Sequence, residues 1–147
     1  NGYKINLEDE NFIENNIDFD KTYEIIKKVK FINSFSFIFS PRPGTVASNL
    51  NLIEKKICME RLEKIQNQLY ENQINMNKSL EDKVINVLAE NPTEDGKKIF
   101  GKSEYMTSVI FSGKDKDIGK IVPVKIIKSN RSTLFGELAV NLNQKVA

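Results

Sequence analysis

The sequence predicts an α+β chain: the closing piece of a parallel α/β sheet, a long helix, then a small five-stranded antiparallel β-barrel. Three observations predict it. A short amphipathic helix is followed at Ser34–Ser40 by a run of alternating phenylalanines. A 3.6-residue apolar period then runs through 51–81. From residue 82 the period returns to two, in short apolar alternations separated by turn formers.

The 147 residues are 39% apolar and 29% charged, the balance of a globular chain. The longest apolar candidate, Phe35–Phe39, is interrupted by Ser36, so a membrane span is excluded. Residues 1–20 are acidic, without the basic start of a secretory signal, and a cytoplasmic location is expected. There is no histidine, which removes Ser–His and Cys–His nucleophile pairs and most zinc sites. The single cysteine, Cys58, cannot close an internal disulfide or hold an iron–sulfur cluster alone. A first residue of Asn1 rather than Met suggests a piece of a longer protein.

Net charge is +2, but it is unevenly spread. Residues 1–20 carry −5, residues 21–81 carry +4 and residues 82–147 carry +3. Lys97–Arg131 alone carries +6, which points to an anionic partner for the C-terminal half. The competing reading is a solvated Lys-rich surface, because Lys, Ile and Asn all abound and share AT-rich codons.

Residues 1–20 are polar and Asn-rich and are expected to form a poorly ordered arm. Within it, Glu8, Asp9 and Glu10 read as solvated acids, not metal ligands. Asp20 is placed to cap a helix from Lys21 to about Lys30, with Tyr23, Ile26 and Val29 on one face. Ser34–Ser40 reads as a strand with Phe35, Phe37 and Phe39 on one side. Pro41-Arg42-Pro43-Gly44-Thr45 breaks it, since proline lacks an N–H and Gly44 tolerates positive φ. Ser40 and Thr45 are expected to satisfy backbone groups of that turn. One helix and one strand are too little for a fold, so 21–50 reads as the last unit of a larger sheet.

The long helix follows over 51–81, with Cys58, Leu62, Ile65, Leu69, Met76 and Leu80 inward and Glu60, Lys64 and Glu71 outward. Beyond it come five strands. The first holds Ile85, Val87 and Ala89, the second is Lys98–Glu104 and the third is Ser108–Phe111. The fourth is Lys120–Lys128, with Val122, Val124 and Ile126 on one face. Thr133–Val140 is the fifth. Pro123 marks an edge or a bulge. Closure of the five strands removes exposed edges. The loop from Ser112 to Gly119 alternates Lys114 and Lys116 with Asp115 and Asp117 and is electrically neutral. Residues 142–147 form a tail.

Several motifs carry a resemblance. Phe37-Ile38-Phe39-Ser40-Pro41-Arg42-Pro43-Gly44-Thr45 followed by Ala47 resembles the F-x-F-S-P-R-P-G-T-x-A signature of the tRNA methylthiotransferases. Glu60-Arg61-Leu62 is similar to that family's K-x-R-L linker helix. Gly101-Lys102-Ser103 with Val109 and Phe111 resembles G-R-T…V-x-F of the TRAM domain, a barrel of the OB type. Thr133-Leu134-Phe135-Gly136-Glu137 resembles its closing S-L-x-G-E. The likeness runs from about Asp18 to Val140. It implies three domains after the arm: a C-terminal remnant of a radical-SAM α/β sheet with its linker helix over 21–81, a TRAM barrel over 82–141, and the tail.

The family implied is one of radical S-adenosylmethionine enzymes that place a methylthio group on isopentenyladenosine beside the anticodon, using two [4Fe–4S] clusters. The cluster cysteines are absent here, so this chain by itself is expected to bind no cofactor, contain no catalytic residue and be inactive. By resemblance, Ser40, Pro41, Arg42, Pro43, Gly44 and Thr45 border the pocket for S-adenosylmethionine and the target base. The alternative role for Arg42 is structural, paired with a nearby carboxylate. Lys97, Lys98, Lys102, Lys125, Lys128 and Arg131 are the candidate phosphate contacts, with Tyr105 as a stacking surface. Lys102 and Ser103 stand where the family has Arg and Thr, which keeps the charge and loses bidentate contact. Glu137 reads as a structural hydrogen-bonding group, and Cys58 as core packing.

The expected partner is tRNA, through its anticodon stem-loop, together with the missing N-terminal portion of the enzyme; neither DNA nor a membrane is expected. Three other readings stay open: an aspartate-modifying ribosomal-protein methylthiotransferase, a stand-alone RNA-binding module, and an inactive gene remnant that exposes Phe35, Phe37 and Phe39. The Arg42-Pro43 pair speaks against the first, because that branch carries acidic residues there.

Overall fold

The structure, a computed structural model, describes residue 14, residues 16–49 and residues 52–139. The chain divides between Asn72 and Gln73 into two compact units. Val140 and the tail lie outside the described residues, as do Glu8, Asp9 and Glu10.

In the first unit, α1 spans Asn16–Val29 and most of α2 (Lys55–Ser79) packs with it. α1 begins earlier than expected, inside the segment read as an arm, and Asp20 lies within the helix rather than at its cap. The reason is Phe19. It is buried, stacks 6.3 Å from Tyr23, and lies under the Arg61 guanidinium at 5.1 Å. The buried stripe is therefore Phe19 and Ile26 with half-buried Tyr23, and Val29 is exposed instead of inward. Tyr23 donates to Gln68 Oε1 at 3.2 Å. Buried Asn72 donates to the Ile26 carbonyl at 3.1 Å, a second bond on an oxygen that also accepts the Lys30 amide at 3.0 Å. Arg61 bonds the Glu14 carbonyl, the Glu14 carboxylate and Asn16 Oδ1. The motif arginine of the linker helix thus ties down the start of α1.

No strand forms at Ser34–Ser40. Phe35 and Phe37 are 88% and 83% exposed. A strand is completed by hydrogen bonds to a neighbour, and the described residues offer this segment none. The turn after it does form. Gly44 takes φ +81°, and the Thr45 amide and hydroxyl both bond the Arg42 carbonyl, at 3.2 and 2.8 Å. Ser48 caps the Thr45 carbonyl at the start of a short 3₁₀ turn, Val46–Asn49.

The second unit is the barrel with the end of α2. Its strands are β1 (Val84–Pro92), β2 (Ile99–Ser103), β3 (Ser108–Ser112), β4 (Ile121–Ser129) and β5 (Thr133–Leu138). They close in the order β1-β2-β3-β5-β4. Alternate side chains fill the interior: Val87, Val109, Phe111, Val124, Ile126 and Leu134 are all 0% exposed, and Leu80, in the turn just after α2, packs into the same core. Val122, expected inward, is only half-buried against this core. Four pairings are antiparallel as expected, but β3 and β5 run parallel. Parity demands this: an odd ring of strands cannot alternate direction throughout.

Two bulges bend the barrel, at Glu90 in β1 and at Ile127 in β4. Each lies beside a glycine on the neighbouring strand, Gly101 and Gly136. A Cβ on Gly101 would strike the Leu88 carbonyl, and one on Gly136 the Lys125 carbonyl. The two motif glycines are therefore closure residues. Pro123 sits neither at an edge nor at a bulge. Its carbonyl accepts from the Ala139 amide just past β5, so its missing N–H falls where the ladder ends.

Candidate nucleic-acid interface

Strand alternation fixes what each side of the sheet displays. On β2, Ile99, Gly101 and Ser103 point inward, so Phe100 and Lys102 point outward. On β3, Ile110 is outward between Val109 and Phe111. On β5, Phe135 is outward beside buried Leu134. The register places Phe100 opposite Ile110 and Ile110 opposite Phe135, with Lys128 of β4 next to Phe135. An apolar row crosses three strands, about 10 Å or two inter-strand spacings, with a lysine at one end.

Lys102 is held above this row. Its ammonium donates to Ser108 Oγ at 2.9 Å and lies 5.5 Å from the Phe100 ring centroid. A cation against an aromatic face is suited to a nucleotide, whose base stacks while its phosphate pairs. Its motif partner Ser103 does something else. It is buried, and its Oγ accepts the amides of Tyr105 and Thr107 at 3.3 and 3.2 Å, closing the β2–β3 turn. Met106 takes φ +60° there.

The β1–β2 loop walls one end of the row. With Phe100 and Ile110 it encloses a shallow depression of about 710 Å³, which Lys98 also lines. Asp95 shapes the loop: its carboxylate accepts the Thr93 hydroxyl at 2.6 Å and the Lys97 amide at 3.1 Å. Those bonds, the Thr93 hydroxyl first, hold the Asp95 carboxyl below the ordinary aspartate range. Gly96, at φ +65°, turns the chain. Lys97 and Lys98 are exposed beyond it.

The structure thus groups Lys98, Lys102 and Lys128 around one aromatic face, with Lys97 on the adjoining loop. Exposed Arg131 lies on the β4–β5 loop, which leads into Thr133, the neighbour of Ser108. Two expected residues fall elsewhere. Lys125 stands opposite Glu137 and Val84, off the apolar row. Tyr105 packs half-buried against the barrel core rather than standing as a free stacking surface. The rings on the face are Phe100 and Phe135, which the sequence reading passed over. Period two alone would have found them, since each flanks an inward residue. Exposed Glu137, read as a hydrogen-bonding group, lies between Lys125 and Ser112.

The turn at Ser40–Thr45 is a separate feature in the first unit. Arg42 is exposed, and among the described residues no carboxylate pairs with it. Cys58 is half-buried, with its thiol 3.7 Å from the Ile53 carbonyl. Among the described residues no cluster of Cys, Asp or Glu can hold a metal ion. No helix of the described residues is long and apolar enough to cross a membrane.

A five-stranded closed barrel in this strand order, with loops β1–β2 and β4–β5 bordering a β2–β3 face, is an OB-like domain. Residues 78–139 match the TRAM domain family. The chain is 59% identical over 134 residues to the tRNA-2-methylthio-N(6)-dimethylallyladenosine synthase of Pelagibacter ubique, covering 91% of this chain and 30% of that protein. It is 39% identical to the protein of that name from Orientia tsutsugamushi (87% of this chain, 29% of that protein). It is 36% identical to that of Rickettsia akari (85% and 28%). The chain spans about 30% of the length of the curated relatives it matches. It resembles the C-terminal portion of a tRNA methylthiotransferase, TRAM domain included, as the motifs imply.

Proposed function

We propose that this chain is the RNA-holding part of a tRNA methylthiotransferase, and that it grips the anticodon stem-loop with the outer face of β2, β3 and β5. The observation that carries the reading is the Phe100–Ile110–Phe135 row with Lys102 fixed above it. Lysines 97, 98, 102 and 128 neutralise phosphates while the rings receive unpaired loop bases. The residues present do not fit an iron–sulfur cluster: one thiol cannot supply the cysteines it needs. The clusters and the S-adenosylmethionine chemistry belong to a separate, N-terminal portion, and the Ser40–Thr45 turn borders its pocket. The methylthio group goes to isopentenyladenosine beside the anticodon, in the cytoplasm. The closed core of the barrel equally supports a second reading, an RNA-binding module that acts alone.

Binding of a labelled anticodon stem-loop RNA to the full chain tests the shared claim. Affinity is expected to fall steeply with salt, and Lys102→Ala is expected to lower the slope of log K against log salt by about one. Salt-independent binding, or an unchanged slope, refutes the face. Codons for C-x-x-x-C-x-x-C in frame upstream of Asn1 favour the enzyme over the lone module.

A further inference from the structure

Two side chains, Asn77 in the last turn of α2 and Glu81 in the turn just after it, hold the loop between β4 and β5. Asn77 is 1% exposed, and its Nδ2 donates to the carbonyls of Asn130 and Arg131, both at 2.9 Å. One turn further, Glu81 Oε1 accepts the Ser129 amide at 2.9 Å and the Ser129 hydroxyl at 2.7 Å. Within the loop, Asn130 Oδ1 accepts the amides of Ser132 and Thr133 at 2.9 and 2.7 Å. Every residue from Ser129 to Thr133 therefore has a main-chain group fixed by a named side chain.

This loop needs no such bracing merely to join two strands. Short hairpin connections close with their own turn bonds, and the Asn130 amide already bonds the Thr133 carbonyl at 2.9 Å. Burial of the Asn77 amide is offset only by these bonds, so losing the loop carbonyls would leave it unsatisfied. Both Nδ2 protons go to the carbonyls of Asn130 and of Arg131 itself, whose side chain is exposed.

We infer that Asn77 and Glu81 are positioning residues for RNA binding: they fix the β4–β5 loop in advance, so that Arg131 meets the RNA on an ordered backbone. The inference rests on the RNA reading above. Neither residue touches RNA. The entropy of ordering the loop is spent on folding, so it is not charged against binding.

The test measures affinity of the full chain for a labelled anticodon stem-loop RNA, with thermal unfolding beside it. Asn77→Ala is expected to weaken binding about fivefold, and less than about 1.5-fold when Arg131 is already Ala, because coupled residues are not additive. Glu81→Ala is expected to weaken binding about twofold, although losing an acid near a basic face should by charge alone strengthen it. Should Asn77→Ala fail to fold, the half-exposed Glu81 site carries the test through that sign. Equal losses from Asn77→Ala in both backgrounds, or tighter binding by Glu81→Ala, overturn the inference while leaving the RNA reading intact. A wild-type chain that binds no RNA overturns both.

Discussion

Two stretches of this chain alternate apolar and polar residues with period two, and they end up in opposite states. In the barrel, Val109 and Phe111 are 0% exposed and their strand is paired on both sides. At Ser34–Ser40, Phe35 and Phe37 stand more than four-fifths exposed and no ladder forms. Side-chain alternation only makes a segment able to cover one face. What turns it into sheet is a hydrogen-bonding neighbour on each flank and a layer to bury against. The barrel supplies both from within residues 84–138, whereas the phenylalanine segment finds neither among the described residues. Exposed phenylalanines set this close together invite association.

The largest expected effect tests this contrast directly. Phe111→Ala removes a ring from a filled interior and is expected to cost about 3–5 kcal/mol in urea unfolding of the barrel. Phe37→Ala, the same chemistry, is expected to change stability by less than about 0.5 kcal/mol and to improve solubility. Comparable losses at the two sites would mean that the segment is packed after all.

A second effect of similar kind concerns the two bends. Gly136→Ala puts a Cβ onto the Lys125 carbonyl and against Val124 Cγ1 at 2.7 Å. The obstacle is backbone at a bulge and cannot swing away. The expected cost is about 2–3 kcal/mol, again by denaturant unfolding. Gly44→Ala in the Pro-rich turn meets no atom within 4 Å, but must hold φ +81°. Its cost is expected to be about 1 kcal/mol, from backbone conformation alone.

These sites also show what a sequence makes legible. The five strands and the inward Ile85, Val87, Ala89, Val109, Phe111, Val124 and Ile126 were readable because each depends on neighbours two residues apart. Closure followed only from the exposed edges it removes, and its parallel β3–β5 seam rests on a long-range pairing that no local pattern shows. The start of α1 was misread because Asp20 is a good cap in isolation, while Phe19 pairs with Arg61, 42 positions away. Asn77 bonds a loop more than 50 residues on, so its role has no local signature. Charge alone picks out the cations of the candidate face, Lys97, Lys98, Lys102 and Lys128, with Arg131 on the loop beside it. Its rings, Phe100 and Phe135, are not picked out by charge, and Tyr105 sits in a turn, where no alternation indicates which way a ring points.

The placement of these rings gives the next contrast, within the barrel. Phe100→Ala is expected to weaken anticodon stem-loop binding by about 1–3 kcal/mol, the worth of one stacked base, with little change in stability. Tyr105→Ala is expected to do the reverse, since its ring packs on the core. Matching losses of affinity at both would return Tyr105 to the interface.

The smallest effect is a titration. Glu81 accepts two bonds from Ser129, and these, the hydroxyl bond first, hold its carboxyl below the ordinary glutamate value. A carboxyl depressed in the folded state stabilises the fold at pH above its unfolded value, and that contribution is lost as pH falls through the folded value. The barrel is therefore expected to lose stability on acidification below the ordinary glutamate range. Glu81→Gln should flatten that part of the profile and leave the neutral-pH side unchanged in shape. Asp95 titrates in the same direction, held down by Thr93 and the Lys97 amide. The Glu81→Gln profile must thus be compared with that of Asp95→Asn. A slope that persists in the first and vanishes in the second assigns the acid sensitivity to the β1–β2 loop; the opposite result assigns it to the clamp on the β4–β5 loop.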